Sequence, residues 1–183
     1  MSLTLKPGEV LGLYGPSGVG KTTFAKVIAG YRRADEGSVT VDGVAYPQKG
    51  RNPVQLIGQH PEKMINPHWQ MKQVLAESGE FTDEFLQTLG ISQAWMHRFP
   101  SQLSGGELQR FCLARAIVPA TRYLIADEIT TMLDAITKAQ IWHTVLQIVK
   151  QHQLGVLVIS HELPLLKKIC RRILSFEELV AQN

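Results

Sequence analysis

A chain of 183 residues, 44% hydrophobic and 19% charged, has the size and mix of one domain with at most a small appended lobe, and it is long enough to bury a core without staples. Its net charge of +3 comes from dispersed residues and short pairs, Arg32-Arg33, Lys167-Lys168 and Arg171-Arg172, which read as solvated surface and argue against a nucleic-acid partner. Cys112 and Cys170 form no Cys/His cluster, so neither zinc nor a disulfide framework is indicated, and with no signal peptide and no apolar run near the roughly 20 residues that span a bilayer, any membrane role must come through a partner.

In chain order, Val10 to Tyr14 reads as a buried strand that stops at Gly15. Thr22 to Tyr31 carries Phe24, Val27 and Ile28 at helical spacing. Val39 to Tyr46 is predicted as a hairpin, because Asp42-Gly43 between alternating residues is a strong turn signal. Val54 to Ile57 is a further short strand leading to Gln59. Met71 to Arg98 has a helical pattern with a stop at Gly90, and Glu107 to Val118 is a helix with Leu108, Phe111 and Cys112 on one face. Tyr123 to Ala126 is a strand ending in Asp127-Glu128. Ala135 to His152 is a long helix striped by Ile141, Val145, Ile148 and Val149. A strand over Gly155 to Ile159, a helix over Pro164 to Cys170 and a strand over Ile173 to Phe176 close the chain. Strands alternating with helices predict an α/β fold with a mostly parallel sheet covered on both faces. The helical stretch of about 71–118 is expected to form an inserted lobe.

Gly15-Pro16-Ser17-Gly18-Val19-Gly20-Lys21-Thr22 matches the phosphate-loop pattern completely, with a strand before it and a helix after it. Its glycines let the backbone turn N–H groups inward toward phosphate. The following helix adds its positive end. Lys21 brings a cation to the β- and γ-phosphates, and the Thr22 hydroxyl is a Mg²⁺ ligand. Asp127, at the carboxyl end of a parallel strand, falls at the edge where such sheets bind ligands and can hold Mg²⁺. Glu128, one residue on, can polarise an attacking water.

Leu103-Ser104-Gly105-Gly106-Glu107 reads as a capped helix start with exposed backbone N–H groups, a second anion site. A nucleotide already held by Gly15 to Thr22 does not need it. The natural use is to grip the γ-phosphate of a nucleotide on another subunit.

With these motifs in order, the chain resembles an ABC ATPase, whose signature is LSGGE. The resemblance runs from about Leu3 to Phe176 and implies a single ABC ATPase domain over 1–183, of the P-loop NTPase fold with a partial antiparallel layer. It implies ATP as ligand, Mg²⁺ as cofactor, and Thr23 as a further nucleotide contact. It makes Gln59 the Q-loop glutamine, close to Mg²⁺, and Thr130-Thr131-Met132-Leu133-Asp134 the D-loop with Asp134 as its acid. His161 becomes the switch histidine and, with Gln59, Glu128 and Lys21, part of the catalytic set. It further implies a head-to-tail dimer in which Ser104, Gly105 and Gly106 of one protomer close on the nucleotide of the other.

The stretch Gln59-His60-Pro61-Glu62 to Ile65-Asn66-Pro67-His68-Trp69 is similar to the peptide and nickel importer branch. That points to a peripheral subunit on the cytoplasmic face of the membrane. Its partners would be integral permease subunits, a second ABC ATPase subunit and, indirectly, a solute-binding protein. Met64, Ile65, Trp69 and Met71 are expected as an exposed apolar docking surface on a loop, with packing into the helical lobe as the alternative. Ile129 stands where the family usually has proline. The family's first strands and its adenine-stacking aromatic are expected to be absent. A soluble non-transport ABC ATPase and a weakly active regulatory module are the alternative functions. The intact Lys21, Asp127, Glu128 and His161 argue against the second.

Overall fold

The computed structural model describes residues 1–45 and 50–181. Tyr46 and the end of the predicted hairpin strand lie outside them. The chain divides into two compact units, one of Met1–Leu56, Ala120–Glu128 and Ile148–Asn183, the other of Ile57–Pro119 and Ile129–Gln147.

The first unit is built on a sheet. Strands β1 (Val10–Tyr14), β4 (Val54–Ile57), β5 (Tyr123–Asp127), β6 (Gly155–Ser160) and β7 (Arg172–Ser175) lie in the order β4-β5-β6-β1-β7. The pairs β5–β6, β6–β1 and β1–β7 are parallel, with Asp127 opposite Ile159 and Tyr14 opposite Ser160. The central strands are buried, as expected where both faces are covered: every residue of β6 is buried, and all but one of β1 and of β5, while the outer strands β4 and β7 are only partly buried. On one face, Leu11, Leu13, Ile125, Leu157 and Ile159 form a core with Ala25 of helix α1 (Lys21–Ile28), with Ala29 at its C-terminal cap, and with Phe176 and Leu179 of helix α7 (Phe176–Ala181). Each fully buried aliphatic side chain there is worth about 1.5–3 kcal/mol of transfer free energy. On the other face helix α6 (Leu163–Ile169) lies so close to β1 that a methyl on Gly12 would stand 3.3 Å from Leu166 Cδ2. A two-stranded antiparallel ribbon, β2 (Thr40–Val41) and β3 (Val44–Ala45), turns at Asp42 (φ 54°) and Gly43 (φ 80°), the left-handed pair a tight hairpin requires.

The second unit is helical. The helical pattern predicted over 71–98 stops at Gly90 (φ 66°) as expected, after helix α3 (Asp83–Thr88), but it is also broken before Gly79 (φ 129°), where helix α2 (Met71–Ala76) ends, and a 3-10 turn covers Gln93–Trp95. Both glycines adopt positive φ values that other residues rarely take, which ends the helices. Helix α4 (Gly105–Ala116) buries Leu108, Phe111, Cys112, Leu113 and Ala114, with the Trp95 and Phe111 rings 6.5 Å apart. Two arginines of α4 tie the unit together. Arg110 donates to Leu89 O at 2.8 Å and Gln140 Oε1 at 2.9 Å; Arg115 donates to Met64 O and to Glu77 Oε2, each at 2.6 Å. Helix α5 (Ala135–His152) has the predicted bounds, and its part in this unit buries Ile141, Trp142 and Val145.

The apolar docking surface expected around Trp69 needs correction. Ile65 is 4% exposed and Met71 is fully buried, so these two side chains pack into the helical unit, while Met64 and Trp69 remain half-buried. A residue on an irregular segment is not thereby a surface residue. No helix among the described residues is long and apolar enough to cross a membrane.

Candidate functional site

The site begins where β1 hands over to α1. Gly18 (φ 86°) and Gly20 (φ 105°) turn the chain through left-handed conformations, and a side chain at Gly18 would meet nothing within 4 Å. Glycine stands there for its backbone freedom, not for lack of room. Pro16, Ser17, Gly18 and Val19 are exposed, as are Thr22 and Thr23 on the first turn of α1. Lys21 is the opposite: it is 5% exposed, and its Nζ donates to Gly15 O at 2.7 Å and Pro16 O at 2.6 Å. Its charge is thus held inside the mouth of the loop rather than in bulk water.

Behind the loop stands an aromatic support that the sequence motifs do not announce. Phe176 packs its ring edge-on to Phe24 at 6.0 Å, and a methyl on Gly15 would stand 3.1 Å from Phe176 Cβ. The residue opens α7, a six-residue helix directly after β7. Such a short element carries too little periodicity to be read from sequence.

Asp127 ends β5 and is 6% exposed. Burial pushes its pKa above the usual carboxylate value, and the adjoining Glu128 carboxylate pushes the same way, while the Thr22 hydroxyl that hydrogen-bonds it and the charge of Lys21 pull it down. Thr22 and Asp127 together present hard oxygen donors, the set a divalent cation such as Mg²⁺ prefers over soft or nitrogen ligands.

Glu128 sits at φ 54°, an uncommon conformation for a residue with a long side chain, and its N–H donates to Ile159 O at 3.0 Å. That hydrogen bond continues the β5–β6 ladder one residue past the strand while the backbone turns. The turned side chain meets His161, with Nδ1 3.0 Å from Glu128 Oε1. A carboxylate only accepts, so Nδ1 carries the hydrogen of this bond. His161 follows β6, where the Ser160 hydroxyl accepts from Glu162 N–H at 3.0 Å and fixes the exit from the strand. Lys21, Thr22, Asp127, Glu128 and His161 therefore gather at the carboxyl ends of three neighbouring parallel strands, the ligand edge of an open α/β sheet.

The other predicted site residues belong to the second unit. Gln59 is two residues beyond β4 and half-buried. Ser104 caps α4 in a reciprocal box: its Oγ accepts from Glu107 N–H at 3.3 Å, and Glu107 Oε2 accepts from Ser104 N–H at 2.6 Å. Gly105 and Gly106 form the first turn of that helix. Asp134 caps α5, accepting from the N–H groups of Ile136 and Thr137 at 3.0 Å each. The Thr137 side chain and these backbone bonds hold its pKa below the usual value. Among the described residues no His, Cys, Asp and Glu cluster suits a softer metal.

Known proteins are similar over most of the chain. The family model described as ABC transporter matches residues 1–131. The nickel import ATP-binding protein NikE of Escherichia coli (strain K12) is 30% identical, over 95% of this chain and 72% of its own. NikE of Rhodospirillum rubrum is 29% identical, over 97% of this chain and 71% of its own. Among solved structures, the dimeric bacterial ABC transporter cassette MJ0796 superposes with a TM-score of 0.78 at 23% identity, covering 94% of this chain and 83% of that one. The protein cbiO1 from Clostridium perfringens, part of the complex cbiONQ, superposes at 0.80 with 20% identity, covering 96% and 76%.

Proposed function

The chain belongs to the ABC transporter family as its ATP-binding, ATP-hydrolysing domain, and we propose that it powers import of nickel, a peptide or a related small solute through a membrane permease. In this reading it sits peripherally on the cytoplasmic face and pairs with a second ABC ATPase subunit. A solute-binding protein acts upstream. The NikE relatives, named for nickel import, support the substrate class. The place of cbiO1 within the cbiONQ transporter complex supports assembly with other transporter subunits.

The observation that carries the chemistry is the Glu128–His161 contact of 3.0 Å beside Asp127 and Thr22. Loop N–H groups from Ser17 to Gly20 hold the phosphates, with Thr22 and Thr23 at the start of α1 completing the cradle. Lys21, already in the loop's mouth, neutralises phosphate charge. Thr22 and Asp127 would hold Mg²⁺, which when bound would offset charge on the phosphates. Glu128 takes the proton of the attacking water as general base. His161 keeps the Glu128 carboxylate turned to the phosphate edge. Ser104, Gly105, Gly106 and Asp134 act on the nucleotide of the partner subunit. Glu128→Gln is the test. It should bind ATP like the parent and lose hydrolysis by roughly 10²–10⁴-fold, the usual contribution of a positioned proton acceptor. Hydrolysis at the parent rate would remove Glu128 from the mechanism.

A further inference from the structure

The segment that joins β5 to α5 begins at Ile129, where a proline would fix φ by its ring. Isoleucine has no such constraint, and here side chains hold the segment instead. Trp142, two turns into α5 and 3% exposed, donates its indole Nε1–H to Thr130 Oγ1 at 3.1 Å; Thr130 is 2% exposed. Two buried polar groups would each be costly alone, so the bond fixes both in one arrangement. The Leu133 N–H donates to Thr130 O at 3.2 Å, and Asp134 then caps α5. The segment is therefore gripped at its start, middle and end.

Leu133 of this segment, and Thr137 in the first turn of α5 that follows it, lie against the signature glycines of the same protomer. A methyl on Gly106 would stand 2.6 Å from Thr137 Cγ2, and one on Gly105 3.7 Å from Leu133 Cδ2. At such spacing the first turn of α4 packs directly on Leu133 and Thr137, which flank the Asp134 cap, so the placement of the 130–134 segment bears on that turn. We infer that Trp142, through its hydrogen bond to Thr130, is a positioning residue for ATP hydrolysis: it sets the register of the 130–134 segment and so the placement of the Ser104–Gly106 amides. This rests on the reading of Ser104–Gly106 as a phosphate grip. A neutral buried hydrogen bond shifts a local equilibrium by roughly two- to tenfold, and a misplaced contact group lowers the rate further.

The test compares Thr130→Val, Thr130→Ser, Trp142→Phe and the Val/Phe double variant with the parent. Amide hydrogen exchange of the nucleotide-free protein is read over 104–107 and 129–134, and ATPase kinetics are read alongside. In Thr130→Val and Trp142→Phe, both segments should exchange about fivefold faster and kcat should fall about five- to tenfold, with KM within about twofold. Thr130→Ser, which keeps the hydroxyl, should match the parent, and the double variant should be no worse than either single one. Parent-like exchange over 104–107 in Thr130→Val, or an equal loss in Thr130→Ser, overturns the inference. Should Trp142→Phe fail to fold, the near-isosteric Thr130→Val against Thr130→Ser decides alone. Ser104→Arg separates the two readings. If it hydrolyses ATP normally, the phosphate grip is wrong; if it is inactive while Thr130→Val keeps parent kcat and exchange, only the positioning role falls.

Discussion

Asp127→Asn should make the nucleotide-free protein more stable while abolishing hydrolysis. Asn fills the same space and can still accept from the Thr22 hydroxyl, so the substitution removes charge and little else. Asp127 is 6% exposed, and burial together with the neighbouring Glu128 carboxylate raises its pKa above the ordinary 3.8. A carboxyl whose folded pKa lies above its unfolded value favours the fold when protonated. That contribution is complete below the unfolded pKa and is lost as pH rises through the folded one. At pH 7.5 the parent therefore carries an unfavourable buried charge, offset in part by Lys21 and Thr22. Relieving it should gain about 1 kcal/mol, given roughly 1–3 kcal/mol for a poorly paired buried polar group. For a chain of this length that is a rise in Tm of about 2–4 °C. Thermal unfolding in EDTA, without nucleotide, measures it at pH 7.5 and at steps down toward the ordinary carboxylate range. The gap should narrow as pH falls, and the order should reverse when ATP and Mg²⁺ are added, because the parent keeps the Asp127 carboxylate for Mg²⁺ and so gains more of the ligand's stabilisation. An Asn variant less stable than the parent at pH 7.5 in EDTA would refute the reasoning. So would a gap that does not change with pH.

Three further outcomes are expected. Gly106→Ala places a methyl 2.6 Å from Thr137 Cγ2 and should destabilise by about 1–2 kcal/mol through overpacking; chemical denaturation should show that adding Thr137→Ser, which removes that carbon, restores most of the loss. A Lys21→Ala chain and a Ser104→Arg chain, each inactive alone, should recover ATPase activity when mixed, because one of the two shared sites keeps an intact pair; mixed dimers shown to form without any recovery would exclude action between subunits. Trp69→Ala, at a half-buried position of the helical unit, should weaken co-purification with a membrane partner and leave the isolated ATPase rate within about twofold, the size of a surface change below 0.5 kcal/mol.

How much of this was legible in the sequence depends on whether the cause is local. The bounds of β1, β4 and α5 follow from short apolar runs, a period of 3.6 and turn residues, all contained in the element itself. The phosphate loop is equally local, since its glycines and Lys21 are contiguous. Over 71–98 the stop at Gly90 is legible from the glycine itself, but the break before Gly79 is not, because apolar spacing continues on both sides of it while its φ of 129° ends the helix regardless of periodicity. Ile65 and Met71 misled because an irregular segment says nothing about what lies over it, and in the fold these two side chains are buried. Phe176 was missed because its importance lies in its neighbour, Gly15, at the far end of the chain. The Glu128–His161 pair shows the same limit from the other side. Each residue was recognisable as the end of a strand, but they are 33 residues apart. They meet only because β5 and β6 are adjacent, parallel and in register, with Asp127 opposite Ile159. Glu128 must also take φ 54° to turn its carboxylate toward the imidazole, and nothing about a glutamate in a sequence announces that conformation. The chemistry thus depends on a sheet register and one unusual backbone angle, while its residue types stand openly in the motifs.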